Sequence, residues 1–151
     1  MNYFELLNIP VSLHVDESSL RQKFYELSKQ FHPDTNPADQ KKIFEINKAY
    51  QCLRDPISRA YYLVELANIQ QKTDLPLELA EEYFELQEMS SKEGLETFKQ
   101  GLVTKQDHLK KEFSELETTW STDKLPLLSG WLVKNKYIRS MLEDIQKKLA
   151  L

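Results

Sequence analysis

Four apolar side chains, Leu20, Phe24, Leu27 and Phe31, recur at steps of four, three and four. That spacing puts them on one face of a helix predicted over 17–31, with Asp16 as its N-cap and Glu17 in its first turn. A second amphipathic run predicts a helix over 39–54, capped by Asn36 or Asp39. Its facing stripe is Ile43, Ile46 or Asn47, Tyr50 and Leu53, with Phe44 and Ala49 at the margins. The connection between the two is short, so they should lie as antiparallel neighbours. Pro33 has no backbone donor and biases His32 away from the helical region, which stops the first helix. Asp34, Thr35 and Asn36 favour turns. The pattern therefore places a polar tripeptide, His32-Pro33-Asp34, at the tip of a helical hairpin.

The flanks read as further helices. Residues 3–9 form a short one ended by Pro10, too short to stand alone and so packed on something. Asp55-Pro56 breaks the second hairpin helix, and 57–67 supply another, apolar on most sides, as a joint. Residues 68–76 are the most linker-like stretch. Three amphipathic segments follow, at about 76–91, 92–120 and from 125 or 127 to 149. The first carries Leu79, Tyr83, Leu86 and Met89. The second carries Leu95, Phe98, Leu102, Leu109, Phe113, Leu116 and Trp120, and skips one apolar position around Lys105-Gln106. The third carries Leu128, Leu132, Ile138, Leu142, Ile145 and Leu149, with Asn135 where an apolar residue is wanted. No strand signal and no internal repeat compete with these periods. The expected fold is all-α: residues 1–67 as one unit, 68–76 as linker and 77–151 as a three-helix bundle.

Composition agrees, with only three glycines and six prolines in 151 residues and an abundance of helix formers. The net charge of −4 argues against wholesale nucleic-acid binding. It is unevenly spread: residues 1–72 hold nine basic and nine acidic groups, residues 73–151 eleven and fifteen. A single cysteine, Cys52, excludes an internal disulfide and a thiolate metal cluster, and its helical pattern predicts a buried structural thiol. His14 and His108 are too isolated to form a ligand set. No run reaches membrane-spanning length, and the first residues lack the basic and apolar regions of a signal peptide. A soluble protein of a reducing compartment is expected. His32 and Asp34 alone are thin grounds for acid–base chemistry, because no nucleophile, metal triad or phosphate-cradling loop accompanies them.

Residues 1–66 resemble the J-domain of co-chaperones that act on 70-kDa heat-shock chaperones. The resemblance rests on Tyr3-Phe4-Glu5-Leu6-Leu7, His32-Pro33-Asp34, Ile46-Asn47-Lys48-Ala49-Tyr50-Gln51-Cys52-Leu53 and Asp55-Pro56. Arg59-Ala60-Tyr61-Tyr62-Leu63 and Phe84-Glu85-Leu86-Gln87-Glu88 extend it across nearly the whole chain to the HscB family of iron–sulfur cluster biogenesis. That resemblance implies an L-shaped adaptor that is not itself an enzyme. His32, Pro33 and Asp34, flanked by Arg21, Lys23 and Lys29, would engage an HscA-type chaperone and promote its ATP hydrolysis, with Arg21 and Lys23 the leading pair. The bundle would hold an IscU-type scaffold through Phe84, Ala80, Glu81, Tyr83 and Tyr137. Tyr83 and Phe84 compete for exposure, and Phe84 is favoured outside. Ala80 and Glu81 depart from the larger apolar side chains usual in the family. No cofactor, metal, nucleic acid or membrane is implied, and a bacterial cytoplasm is favoured over a mitochondrial matrix. A general J-domain adaptor for another client is the alternative.

Overall fold

The computed structural model describes residues 1–32, 34, 37–70 and 74–151. Among them are seven α-helices and one short 3₁₀ turn, with no strand. The chain divides into two compact units, Met1–Ile69 with Trp120–Thr122, and Gln70–Thr119 with Asp123–Leu151.

In the first unit the helices are α1 (Tyr3–Leu6), α2 (Glu17–Gln30), α3 (Asp39–Arg54) and α4 (Pro56–Leu66). α2 and α3 pack through buried Leu20, Ile46, Ala49 and Leu53, while Phe24 stacks on Tyr50 with ring centroids 4.1 Å apart. Ile46 rather than Asn47 takes the inward position. α3 begins at Asp39 with Ala38 as its N-cap; the other expected cap, Asn36, lies outside the described residues.

α1 is shorter than the predicted 3–9, and Pro10 does not end it. Asn8 does, in the left-handed region at φ 56°. The Asn8 amide donates to the Glu5 carbonyl at 3.0 Å and the Ile9 amide to Phe4 at 2.9 Å, a Schellman cap. α4 ends the same way: Asn68 also sits at φ 56°, and Ile69 donates to Val64. Glu5-Leu6-Leu7-Asn8-Ile9 and Glu65-Leu66-Ala67-Asn68-Ile69 are thus one stop signal used twice. Asparagine tolerates the left-handed conformation better than most residues, which is why it can replace glycine here.

Asp55-Pro56 starts α4 as much as it ends α3. Pro56 occupies the first helical position, where its missing N–H costs nothing, and the Asp55 carboxylate accepts from the Ser58 amide at 2.9 Å. One turn on, Arg59 is only 4% exposed. Its Nε donates to the Leu53 carbonyl at 2.9 Å and an Nη1 hydrogen to the Leu13 carbonyl at 2.7 Å. Tyr62 secures the start of the chain by accepting from the Tyr3 amide at 2.9 Å and stacking on the Tyr3 ring. Cys52 is half-buried rather than fully buried, and desolvation pushes its thiol above the ordinary range.

The second unit holds α5 (Leu77–Glu88), α6 (Lys92–Thr118) and α7 (Leu125–Leu149). The Ser91 side chain caps α6 by accepting from the Gly94 amide at 3.1 Å; a Cβ at Gly94 would meet the Ser91 oxygen at 2.7 Å. α6 buries Leu95, Leu102, Leu109 and Phe113 against α7, where the Trp131 indole donates to the Leu109 carbonyl at 2.7 Å. α7 buries Trp131 and Met141 besides Leu128, Leu132, Ile138 and Ile145, whereas Leu142 and Leu149 are half-buried. A single stripe was expected, but α7 packs against both α6 and α5, so its buried face is wider.

The skipped apolar position on α6 has a partner too: Lys105 pairs with Glu82 of α5. The Lys105 hydrogen bond, opposed by partial burial, holds the Glu82 carboxyl below its ordinary value of 4.5. A carboxyl depressed in the folded state contributes stability that is present above its unfolded pKa and is lost as pH falls through the folded one. The Glu82 carboxyl carbon, followed by NMR, is expected to titrate below 4.5 and to return towards that value in Lys105→Met. An unchanged midpoint in the variant would show that the pair does not act on Glu82.

Candidate functional site

The tip of the α2–α3 hairpin carries two exposed side chains. The Asp34 amide donates to His32 Nδ1 at 3.3 Å, and an Asp34 carboxylate oxygen lies 3.6 Å from the same nitrogen. Pro33 lies outside the described residues. The pair offers a planar imidazole and an acceptor carboxylate, both exposed to a partner.

Beside the tip, α2 presents Arg21, Tyr25 and Lys29 at steps of four, which line a shallow depression with Ser18, Gln22 and Glu26. Lys23 is not among them. Residues two apart on a helix point in different directions, and Lys23 is half-buried on the other flank of the apolar stripe. The expected Arg21–Lys23 pair is thus split, and Arg21 shares a face with Lys29 instead. Tyr25, 57% exposed between them, is the member that hydropathy alone did not single out. Arg21 also approaches Glu17 at 3.6 Å, a contact between exposed groups of small energetic weight. On α3, Lys42 sits over the Phe31 ring and Lys48 over Phe44, at 5.7 and 5.5 Å from the centroids.

In the second unit, α5 turns Leu79 and Leu86 inwards and leaves Phe84 65% exposed. Tyr83 takes the inner place, half-buried, with its ring edge-on to Tyr137 of α7 at 6.4 Å and to Phe84 at 5.9 Å. Tyr83, Phe84 and Tyr137 are therefore neighbours, although they come from two helices. Glu81 is exposed beside them and Ala80 half-buried. The outer face of α5 adds one residue that sequence reasoning missed, Leu77, with 92% exposure. It stands one heptad before Phe84, so a second apolar position on the outer face was there to be read. Covering an exposed phenylalanine contributes roughly 1.5–3 kcal/mol to association. Glu81, Glu85 and Glu88 rim this face with negative charge.

Among the described residues no group of three or more His, Cys, Asp or Glu side chains is placed to hold a metal ion, and no helix is long and apolar enough to cross a membrane.

Comparison with known proteins bears on both units. Residues 2–62 match the DnaJ domain family. Over 163 residues the chain is 34% identical to the co-chaperone protein HscB homolog of Acinetobacter baumannii, covering 97% of this chain and 90% of the relative. The corresponding Vibrio cholerae protein is 35% identical over 105 residues; there the match spans 64% of this chain and only 61% of the relative. Among solved structures, the chaperone HscB from Vibrio cholerae superposes with a TM-score of 0.66 at 27% identity, covering 97% of this chain and 96% of that one. Human co-chaperone protein HscB shares the fold, with a TM-score of 0.70 at 23% identity over 100% of this chain and 84% of that one.

Proposed function

The chain belongs to the HscB family of J-domain co-chaperones, and from that premise we propose that it brings an IscU-type iron–sulfur scaffold to an HscA-type 70-kDa-class chaperone. It stimulates that chaperone's ATP hydrolysis and so assists cluster transfer. The cluster is cargo, and the transition state for hydrolysis is built in the chaperone. Residues 1–67 engage the chaperone through His32, Pro33 and Asp34 at the tip, with Arg21, Lys29 and Lys23 on α2. Residues 77–151 hold the scaffold through Phe84, with Tyr83, Tyr137, Ala80 and Glu81 around it, and 68–76 join the two.

The observation that carries the reading is Phe84 itself, an aromatic side chain turned out of the bundle beside two ordered tyrosines. A central aromatic with a polar surround is the usual shape of an interface hot spot. The bacterial origin of the HscB homolog it resembles supports a bacterial cytoplasm as its place of work.

Single-turnover ATP hydrolysis by the chaperone tests this, run with the native chain, with scaffold and with both. Joint stimulation should exceed either alone. Phe84→Ala is expected to weaken scaffold binding by about 30-fold, the equivalent of ~2 kcal/mol at a hot spot, and to lower joint stimulation at limiting scaffold. Stimulation indifferent to scaffold would point to another client.

A further inference from the structure

The helix that displays Phe84 is the least secured element of its unit. α5 has twelve residues, of which only Leu79 and Leu86 are buried. A helix of that length is marginal on its own in water, so α5 is ordered only while it is docked. Its seam is completed by three lysines from the other two helices. Lys134 of α7 pairs with Glu78 at 3.0 Å, in the first turn. Lys105 of α6 pairs with Glu82 at the middle. Lys148 of α7 donates to the carbonyls of Leu86 at 2.6 Å and Met89 at 3.1 Å, at the C-terminal end. The Leu86 carbonyl also accepts from the Met89 cap amide at 3.2 Å, and the negative end of the helix dipole favours an ammonium there. The three lysines thus hold α5 at its beginning, middle and end, all from the side away from Phe84.

We propose that Lys105, Lys134 and Lys148 form an electrostatic clamp that keeps α5 docked and so sets how much of the population presents the Phe84 face. The inference rests on the scaffold reading only for the identity of the partner. Exposed ion pairs are individually weak. They matter here because the apolar seam they supplement is small, and α5 can open locally without the α6–α7 pair coming apart.

Amide hydrogen exchange on the full chain reads the clamp directly. With Lys105→Met, Lys134→Met and Lys148→Met combined, exchange in α5 should quicken on the order of tenfold, while buried amides of α6 and α7 keep their rates. Salt at about 0.5 M should move the native chain part of the way, by screening. Arginine at all three positions should restore slow exchange, because it keeps the charge. The dissociation constant for a purified IscU-type scaffold should rise by the factor by which the docked fraction falls, as for any partner that needs a fraction of the population. Chaperone stimulation without scaffold should not change.

Unchanged α5 exchange in the triple variant overturns the clamp, and so does opening of α5 only together with α6 and α7. Scaffold affinity that ignores the docked fraction overturns the link to presentation. A native chain that binds no scaffold while exchange behaves as expected leaves the clamp standing and removes the scaffold reading instead.

Discussion

On the proposed function, His32→Gln is expected to need about 30-fold more co-chaperone for the same stimulation of the chaperone's ATP hydrolysis, while its affinity for scaffold stays that of the native sequence. The reason lies in how the ring is held. The Asp34 amide and carboxylate lie 3.3 and 3.6 Å from Nδ1, so the ring is held in place by the tip itself. A glutamine amide has a donor and an acceptor as well, but on a flexible stem with no ring to fix the angle between them. The side chain is also 53% exposed, so its replacement should disturb the fold little. Loss of a central anchor costs ~2 kcal/mol or more, which corresponds to about 30-fold in stimulatory potency. Single-turnover hydrolysis across a range of co-chaperone concentration measures it. Native-like stimulation by His32→Gln would remove the tip from the mechanism. A matched loss of scaffold binding would mean instead that the substitution disturbs more than the tip.

Legibility in the sequence followed the kind of force involved. Apolar periodicity is a property of the chain alone, so α2 and α3 were placed to within a residue, and the bundle helices to within two or three at their ends. The stop signals at Asn8 and Asn68 were missed because a left-handed cap is a backbone conformation, and asparagine announces it weakly. Pro10 looked the stronger breaker but came too late. Tertiary electrostatics were harder still. The gap at Lys105 was visible as a missing apolar residue, yet its partner, Glu82, is 23 positions away and on another helix. The same limit bears on Lys23. Charge type put it with Arg21, whereas helical geometry sends the two side chains to opposite flanks. For α5, neighbouring helical stripes put Tyr83 and Phe84 in competition and favoured Phe84 outside, and the packing of Tyr83 against Tyr137 accompanies a Phe84 that is indeed exposed. Arg59 was read only as part of a family pattern, although an arginine in so apolar a helix is itself a hint of buried hydrogen bonding.

That arginine carries the largest expected effect on stability. Arg59→Met keeps most of the side chain's length and apolar stem but removes both donors, from Nε to Leu53 and from Nη1 to Leu13. Leu53 belongs to the last turn of α3, where carbonyls lack helical partners, and Leu13 lies in the connection that leads into α2. With the side chain only 4% exposed, water does not readily replace the guanidinium at either carbonyl. Each buried acceptor left alone costs about 1–3 kcal/mol. Removing a buried charge returns part of that, since its desolvation penalty also disappears. The net expectation is a loss of about 3 kcal/mol, felt as exchange faster by roughly a hundredfold at the amides of α3 around Ile46 and Leu53. Arg59→Lys should recover less than half, because one ammonium cannot reach two carbonyls in the directions the planar fork does. The α6–α7 amides serve as the internal control, for none of these bonds involves them. A loss below about 1 kcal/mol would mean that water or a shifted backbone satisfies both carbonyls. The corner between α3 and α4 would then rest on Pro56, Asp55 and the packing of Ala60, Leu63 and Val64 alone.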